Sequence, residues 1–329
     1  MCNEITSLPK VELHLHLEGA AQPKFIKNLA NKKNVDLSKI FSSNGSFKFK
    51  NFDDFLTVYE IATSVIQTPD DFYNLTISVL EECVRSNVVY VETFLSPYFC
   101  GGNDLIAWQE YLSAIREASY YCETAFGIVS RGIVTCIRHH GPEVARDTAK
   151  CAVATSDNWL VGFGMAGDES VGTPKDYAFS FKMAKEAGLK LTSHAGEWCG
   201  ADSVRATIND LDVQRIGHGV QAIDDKELVK ILVEKGIVLE ACPGSNVFLG
   251  VYPTLQSHPI KRLRDQGVKV TISTDDPPFF RTTMNAEYES LSRAFGWTNH
   301  DFSDLNRVAI NAAFCDGVIK DRLLNICNF

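Results

Sequence analysis

His14 and His16 lie one residue apart in Val11-Glu12-Leu13-His14-Leu15-His16-Leu17-Glu18-Gly19, a short segment that is apolar at alternate positions and stops at a glycine. That pattern reads as a buried strand. Strand side chains alternate faces, so the two imidazoles point the same way, one pleat apart. A pair of imidazoles at a strand end can grip one metal ion; the same pair can also pack in a core or lie on a solvated face. Residues further along the chain favour the metal. His194 ends an apolar run at 189–193, His218 closes the short run 215–218, and the acidic pair Asp275-Asp276 follows the run 268–273. Four of the eight histidines therefore fall at strand ends. Three imidazoles with one carboxylate suit zinc, or another borderline divalent ion, with a position left for water. Such an ion lowers the pKa of water from about 15.7 towards 7 and makes hydroxide available at neutrality.

The elements that must position these residues are repetitive in kind. Apolar, β-branched or aromatic runs occur at 11–19, 88–95, 127–137, 159–163, 189–193, 215–218, 237–241 and 268–273. Helical patterns separate most of them. One covers about 104–120. Another has Thr173 as N-cap, Pro174 in its first turn and Gly188 as its stop. A third starts at a capping box of Asp224 and Glu227, carries Leu228, Ile231 and Leu232, and stops at Gly236. With no hairpin expected between strands, the arrangement predicts an α/β fold, a (β/α)8 TIM barrel, with a helical insertion after strand 1 at about residues 20–86. All 329 residues are assigned to one barrel domain. Barrels place chemistry at the carboxyl ends of their strands, where His14, His16, His194, His218 and the Asp275-Asp276 pair sit. Within the insertion, Phe52, Phe55, Leu56 and Tyr59 fall at i, i+3, i+4 and i+7, one face of a helix. The face is a core stripe by default, and a lid over a pocket if it covers the carboxyl end of strand 1.

A chain of 329 residues, 45% of them hydrophobic, can bury a large core. Its net charge of −9 and lack of Lys/Arg blocks exclude nucleic acid and anionic membrane surfaces as expected partners. No stretch approaches the roughly 18 apolar residues of a membrane span, and the first residues have no signal pattern. Ten cysteines without C-x-x-C spacing fit reduced, buried thiols and a cytoplasmic location. His139-His140 is expected in a loop or behind the site, His258 and His300 at the surface, and Cys242-Pro243 in packing.

Five motifs resemble the adenosine/adenine deaminase family: residues 10–20 (KVELHLHLEGA), Ala166-Gly167-Asp168-Glu169, Ser193-His194-Ala195-Gly196-Glu197, Gly217-His218-Gly219 and Ser273-Thr274-Asp275-Asp276-Pro277. They span residues 10–280 in order. The H-x-E and P-C-x-x-C motifs of the other zinc deaminase class are absent. Two-metal barrel hydrolases carry a modified lysine at the end of strand 4; residues 164–167 here are Gly-Met-Ala-Gly, which implies a single metal. The resemblance implies one zinc per chain on His14, His16, His194 and Asp275, and replacement of a purine 6-amino group by oxygen. By the same resemblance Glu197 protonates purine N1, and burial should raise its pKa. His218 orients the attacking hydroxide, Asp276 orients the attacking water and donates to N7, and the Gly167 N–H donates to N3.

The expected partner is a small purine nucleoside or base. Many adenosine deaminases carry an aspartate, which meets the ribose 5′-hydroxyl, where this chain has Glu18; glutamate there is more typical of adenine deaminases. Adenine deaminases tend instead to have Phe-x-Asp-Pro-Gln after strand 2, where this chain reads Phe94-Leu95-Ser96-Pro97. On that balance the sequence favours adenosine and 2′-deoxyadenosine, with Glu18 meeting a ribose hydroxyl. Adenine or an N6-substituted adenine is the alternative. AMP and a non-catalytic metal-binding barrel are more distant readings.

Overall fold

Apolar runs build eight strands: β1 Lys10–His16, β2 Val88–Leu95, β3 Val129–Ile137, β4 Leu160–Ala166, β5 Lys190–Ala195, β6 Arg215–His218, β7 Val238–Ala241 and β8 Lys269–Ile272. The computed structural model describes residues 5–328. All seven consecutive pairs are parallel, in the order β1 to β8. The sheet closes on itself where the chain leaving β8 meets β1: the His16 N–H donates to the Asp275 carbonyl (3.1 Å) and the Asp275 N–H to the His14 carbonyl (3.2 Å). The strands form a (β/α)8 barrel. Buried on both faces, they read as nearly continuous apolar runs, as parallel strands do.

Three helices separate β1 from β2: α1 Pro23–Lys33, α2 Phe52–Thr63 and α3 Pro69–Arg85. The segment is less uniformly helical than expected. Phe41 and Phe47 form an antiparallel bridge, with Asn44-Gly45 in the turn, a small hairpin contact that the sequence reading did not anticipate. α3 starts from a capping box between Thr68 and Asp71 and packs on the helix that follows β2, α4 Leu105–Phe126. The remaining crossovers are α5 Gly141–Thr155, α6 Pro174–Glu186, α7 Gly200–Leu211 and α8 Lys226–Lys235. α6 begins at Thr173, as expected, in a capping box with Asp176. α8 is capped by Asp225, which accepts from the N–H groups of Glu227 and Leu228; Asp224 instead ends a 3-10 turn, one residue away from the expected cap. After β7 come α9 Pro243–Phe248 and α10 Ile260–Asp265, and after β8 come α11 Pro277–Phe280, α12 Met284–Phe295, α13 Asn299–Ala312 and α14 Gly317–Ile326. None of the described helices is long and apolar enough to cross a membrane.

Candidate active site

β1 ends at His16, not at Gly19, because the chain turns there: the Ala20 N–H donates back to the His16 carbonyl. The strand still puts both histidines on one face, with ring centroids 5.4 Å apart. Around them the Nε2 atoms and one carboxylate converge. His16 Nε2 lies 3.2 Å from His194 Nε2 and 3.3 Å from Asp275 Oδ1, and His14 Nε2 lies 3.4 Å from the same oxygen. Ring orientation is set from outside. His14 Nδ1–H donates to Glu240 on β7 (2.8 Å), and His194 Nδ1–H donates to the Met165 carbonyl on β4 (2.8 Å). Both Nε2 lone pairs are thereby turned inward, the arrangement of imidazoles prepared for a metal. His14 Nε2 is buried and has no hydrogen-bond partner, which a metal ion would supply. His14, His194, His218 and Asp275 bring ligand atoms within 4.8 Å of one another, and His16 forms an overlapping group with Asp275 and Asp276, so donors from this cluster could hold one divalent ion.

Glu240 is itself pinned. Its Oε1 accepts from Arg215 Nε (2.5 Å) and Thr192 Oγ1 (3.0 Å), and Arg215 reaches on to Glu92 (2.5 Å). Buried charges persist only when paired and hydrogen-bonded, and here the pairing fixes the anion that orients His14. Asp275 receives Ser245 Oγ–H at 2.7 Å. Against the burial that disfavours its charge, the adjacent His14 and His16 imidazoles hold the Asp275 carboxyl well below the usual range. Asp276 goes the other way: burial, then the neighbouring Asp275 charge, push it well above. It opens α11 without capping it by its side chain, and its Oδ1 is buried without a partner. Gly19 makes room for this carboxyl, since a Cβ there would stand 1.6 Å from Asp276 Oδ1.

Glu197 is 6% exposed. Burial, then the charges of Asp275 and Glu169, push its carboxyl well above the ordinary value. The loop that carries it is wrapped around Glu169, whose carboxylate accepts from the backbone N–H groups of Gly196, Glu197 (3.1 Å), Trp198 (2.8 Å) and Cys199 (3.2 Å). His218 closes β6 with a positive φ of 59°, and Asp275 has φ 68°. Left-handed backbone at non-glycine residues costs on the order of 1–3 kcal/mol and clusters at functional sites. Burial lowers the His218 imidazolium to about 4, so the ring is neutral at pH 7.

One cavity opens over this cluster. His16, His194, His218, Glu197, Asp275, Asp276 and Gly167 line its floor and walls, and Phe52, Phe55, Leu56 and Tyr59 of α2 line its other side. The helical face in the insertion therefore stands over the strand ends, and Phe55 is also buried against the core. α2 is tied to the rim through the Phe52 and Trp198 rings (centroids 5.2 Å apart) and through Glu60, 3.6 Å from His139 Nε2. Gly167, with φ 96°, has no room for a side chain: a Cβ would lie 2.8 Å from His139 Nδ1.

Glu18 is not a surface residue: it is 3% exposed and lies near Tyr59 and Asp276, both of which line the cavity. Burial raises its carboxyl to about 7. His258 is not a surface residue either: at 2% exposure it is bonded to Asn246, while His300 is exposed as expected. Glu240, Ser245 and Asn246 were missed by sequence reasoning. A lone charge inside the apolar run 237–241 was a usable signal for Glu240; nothing comparable marked the other two.

The adenosine deaminase family profile matches residues 9–328. An adenine deaminase from Rhizobium rhizogenes is 45% identical over 96% of this chain and 98% of its own, and one from Agrobacterium fabrum is 41% identical over 96% and 97%. Among solved structures, the adenine deaminase from Arthrobacter aurescens superposes with a TM-score of 0.90 at 26% identity, covering 98% of both chains. An amidohydrolase from Burkholderia ambifaria, solved with bound Zn, superposes at 0.87 with 24% identity over 99% of this chain and 94% of its own, which speaks for the fold. The preference for adenosine does not survive these findings: relatives at 38–45% identity over nearly the whole chain are named adenine deaminases. The chain belongs to the adenosine deaminase family, as a hydrolase acting on the C–N bond of a cyclic amidine.

Proposed function

We propose that the protein hydrolyses adenine to hypoxanthine and ammonia. The observation that carries this reading is the similarity, over nearly the full length, to enzymes named adenine deaminase. The cavity brings the carboxyls of Glu197, Asp275 and Asp276 together with the aromatic face of Phe52, Phe55 and Tyr59, a lining suited to a purine base.

His14, His16, His194 and Asp275 would hold one zinc ion, for which three imidazoles and a carboxylate are a suitable donor set. When bound, it supplies Lewis acidity that lowers the pKa of water towards about 7. The chain's own residues do the rest. Glu197, kept protonated by burial, donates to N1 of the purine and makes C6 electrophilic. Asp276, also held in its acid form, donates to N7, and the Gly167 N–H donates to N3. His218 stands beside Asp275 (3.9 Å) and Glu197 (3.7 Å) and steadies the oxygen that adds to C6. Addition of water across C6–N1 gives a tetrahedral carbon; the 6-amino group takes a proton and leaves as ammonia, and the ring is left as the 6-oxo purine. The α2 face of Phe52, Phe55, Leu56 and Tyr59 covers the base and keeps bulk water out. Nine free cysteines among the described residues fit a reducing, cytoplasmic setting.

The test is a substrate panel on metal-analysed protein: adenine, adenosine, 2′-deoxyadenosine, AMP and N6-methyladenine. One zinc per chain and the highest kcat/KM on adenine are expected. A higher kcat/KM on any nucleoside or nucleotide overturns the substrate assignment, and two tightly bound metals overturn the single site.

A further inference from the structure

α10 begins at Ile260, and the first N–H groups of a helix have no partner within it. The Ile260 N–H is taken by His258 Nδ1 at 3.2 Å. A backbone N–H can only donate, so His258 Nδ1 must be the unprotonated nitrogen. Burial holds the ring neutral, its imidazolium pushed down to about 3, so the one ring proton sits on Nε2. That N–H faces Asn246 Oδ1 at 3.2 Å. An amide's oxygen and nitrogen are told apart only by such partners, and here the assignment is forced: oxygen to His258, nitrogen to the site. The two amide hydrogens then have two buried acceptors, Glu197 Oε1 at 3.0 Å and His218 Nδ1 at 3.2 Å.

We propose that Asn246, oriented by the backbone of α10 through His258, is a positioning residue that fixes the protonation pattern of both His218 and Glu197. With Nδ1 occupied as an acceptor, His218 carries its proton on Nε2, the nitrogen that faces Asp275. With Oε1 occupied as an acceptor, Glu197 is left to carry its proton on Oε2, the one oxygen from which it can be handed to a substrate. A flipped Asn246 would reverse both, placing protons on His218 Nδ1 and on Glu197 Oε1, away from the reacting atoms. The chain of donors runs in one direction from a peptide N–H that cannot change its role, so the site does not depend on chance for its tautomer.

The inference rests on the roles proposed above for Glu197 and His218, but its first readout needs no turnover. Zinc-reconstituted protein with 15N-labelled histidine is compared by two-bond 1H–15N correlation, the His218 signals being identified by their loss in His218→Asn. The wild type is expected to show His218 as the Nε2–H tautomer. In Asn246→Asp the shape is kept but both oxygens accept, so His218 is expected to move to Nδ1–H. kcat on adenine then falls about 10- to 100-fold, the range seen when an outer partner of a site residue is lost, with metal content and KM little changed. His258→Leu leaves Asn246 in place but frees its amide to turn, and a mixture of tautomers is expected. A wild-type His218 protonated on Nδ1, or a tautomer that stays on Nε2 in both variants, overturns the proposal. Should Glu197 prove dispensable for turnover, the acid assignment falls while the tautomer result still decides this one.

Discussion

In the proposed mechanism Glu197 and Asp276 are acids that must hold protons near neutrality, and the same burial that raises their pKa makes them sensitive. Glu197→Gln keeps the side-chain shape and an oxygen for Asn246 but has no proton to give up. Bound metal is expected to be retained while kcat on adenine drops by roughly 10²–10⁴-fold; near-normal turnover in metal-replete Glu197→Gln removes the residue from the mechanism. At this scale the sequence was legible where a residue type announces chemistry at the end of an apolar run. His14, His16, His194, His218, Asp275 and Asp276 all do so. Asn246 did not, because an amide inside a six-residue helix has no spacing that marks it. His258 misled for a different reason. Its neighbours Gln256 and Ser257 are polar, yet two residues on, Ile260 begins a helix whose first N–H needs a buried acceptor.

Among the elements, α2 is the one whose role depends on context. Its apolar face at i, i+3, i+4 and i+7 is the same pattern whether it meets a core or a cavity, which is why periodicity alone left both readings open. The fold places it over the strand ends, and the Phe52–Trp198 contact joins it to the loop that carries Glu197. An aromatic pair contributes about 0.5–1.5 kcal/mol, so Phe52→Ala is expected to raise KM for adenine roughly 2- to 10-fold, with kcat changed less. Steady-state kinetics check this; an unaltered KM shows that α2 does not cover the bound base. Strand positions were readable to within a few residues because β-branched runs and their turn signals coincide. The ends were not, since β1 stops where backbone hydrogen bonds begin a turn at Leu17, while the apolar alternation continues to Gly19. The cap of α8 fell on the second of two adjacent aspartates for the same local reason.

For the molecule as a whole, several carboxyls are buried without a compensating cation, and stability should record it. Glu287 on α12 is 2% exposed, and burial raises it to about 7 from 4.5. A folded-state pKa above the unfolded one means that the native state binds the extra proton. The stabilisation is complete below about 4.5 and is lost as pH rises through about 7. The loss from this group between pH 6 and 8 is roughly 1 kcal/mol. Glutamine mimics the protonated acid: its oxygen can accept from the Gly244 N–H (3.0 Å) and its amide can donate to Thr282 Oγ1 (2.6 Å). Denaturant midpoints of metal-loaded protein at the two pH values should therefore fall more for the wild type than for Glu287→Gln. Parallel declines would mean that Glu287 does not titrate in this range.

The seam that closes the barrel joins the first strand to the chain just after the last one, and the candidate metal ligands lie on both sides of it. His14 and His16 are made before the carboxylate they meet, which follows about 260 residues later in the chain. At roughly 5–20 residues per second, that is an interval of tens of seconds. Through all of it the nascent chain holds His14 and His16 without Asp275, so the ion's full donor set does not exist until the fold is nearly finished. An ion held by the candidate ligands would meet its full donor set only after barrel closure, and a chain cut short before β8 would carry an open edge and only part of that set.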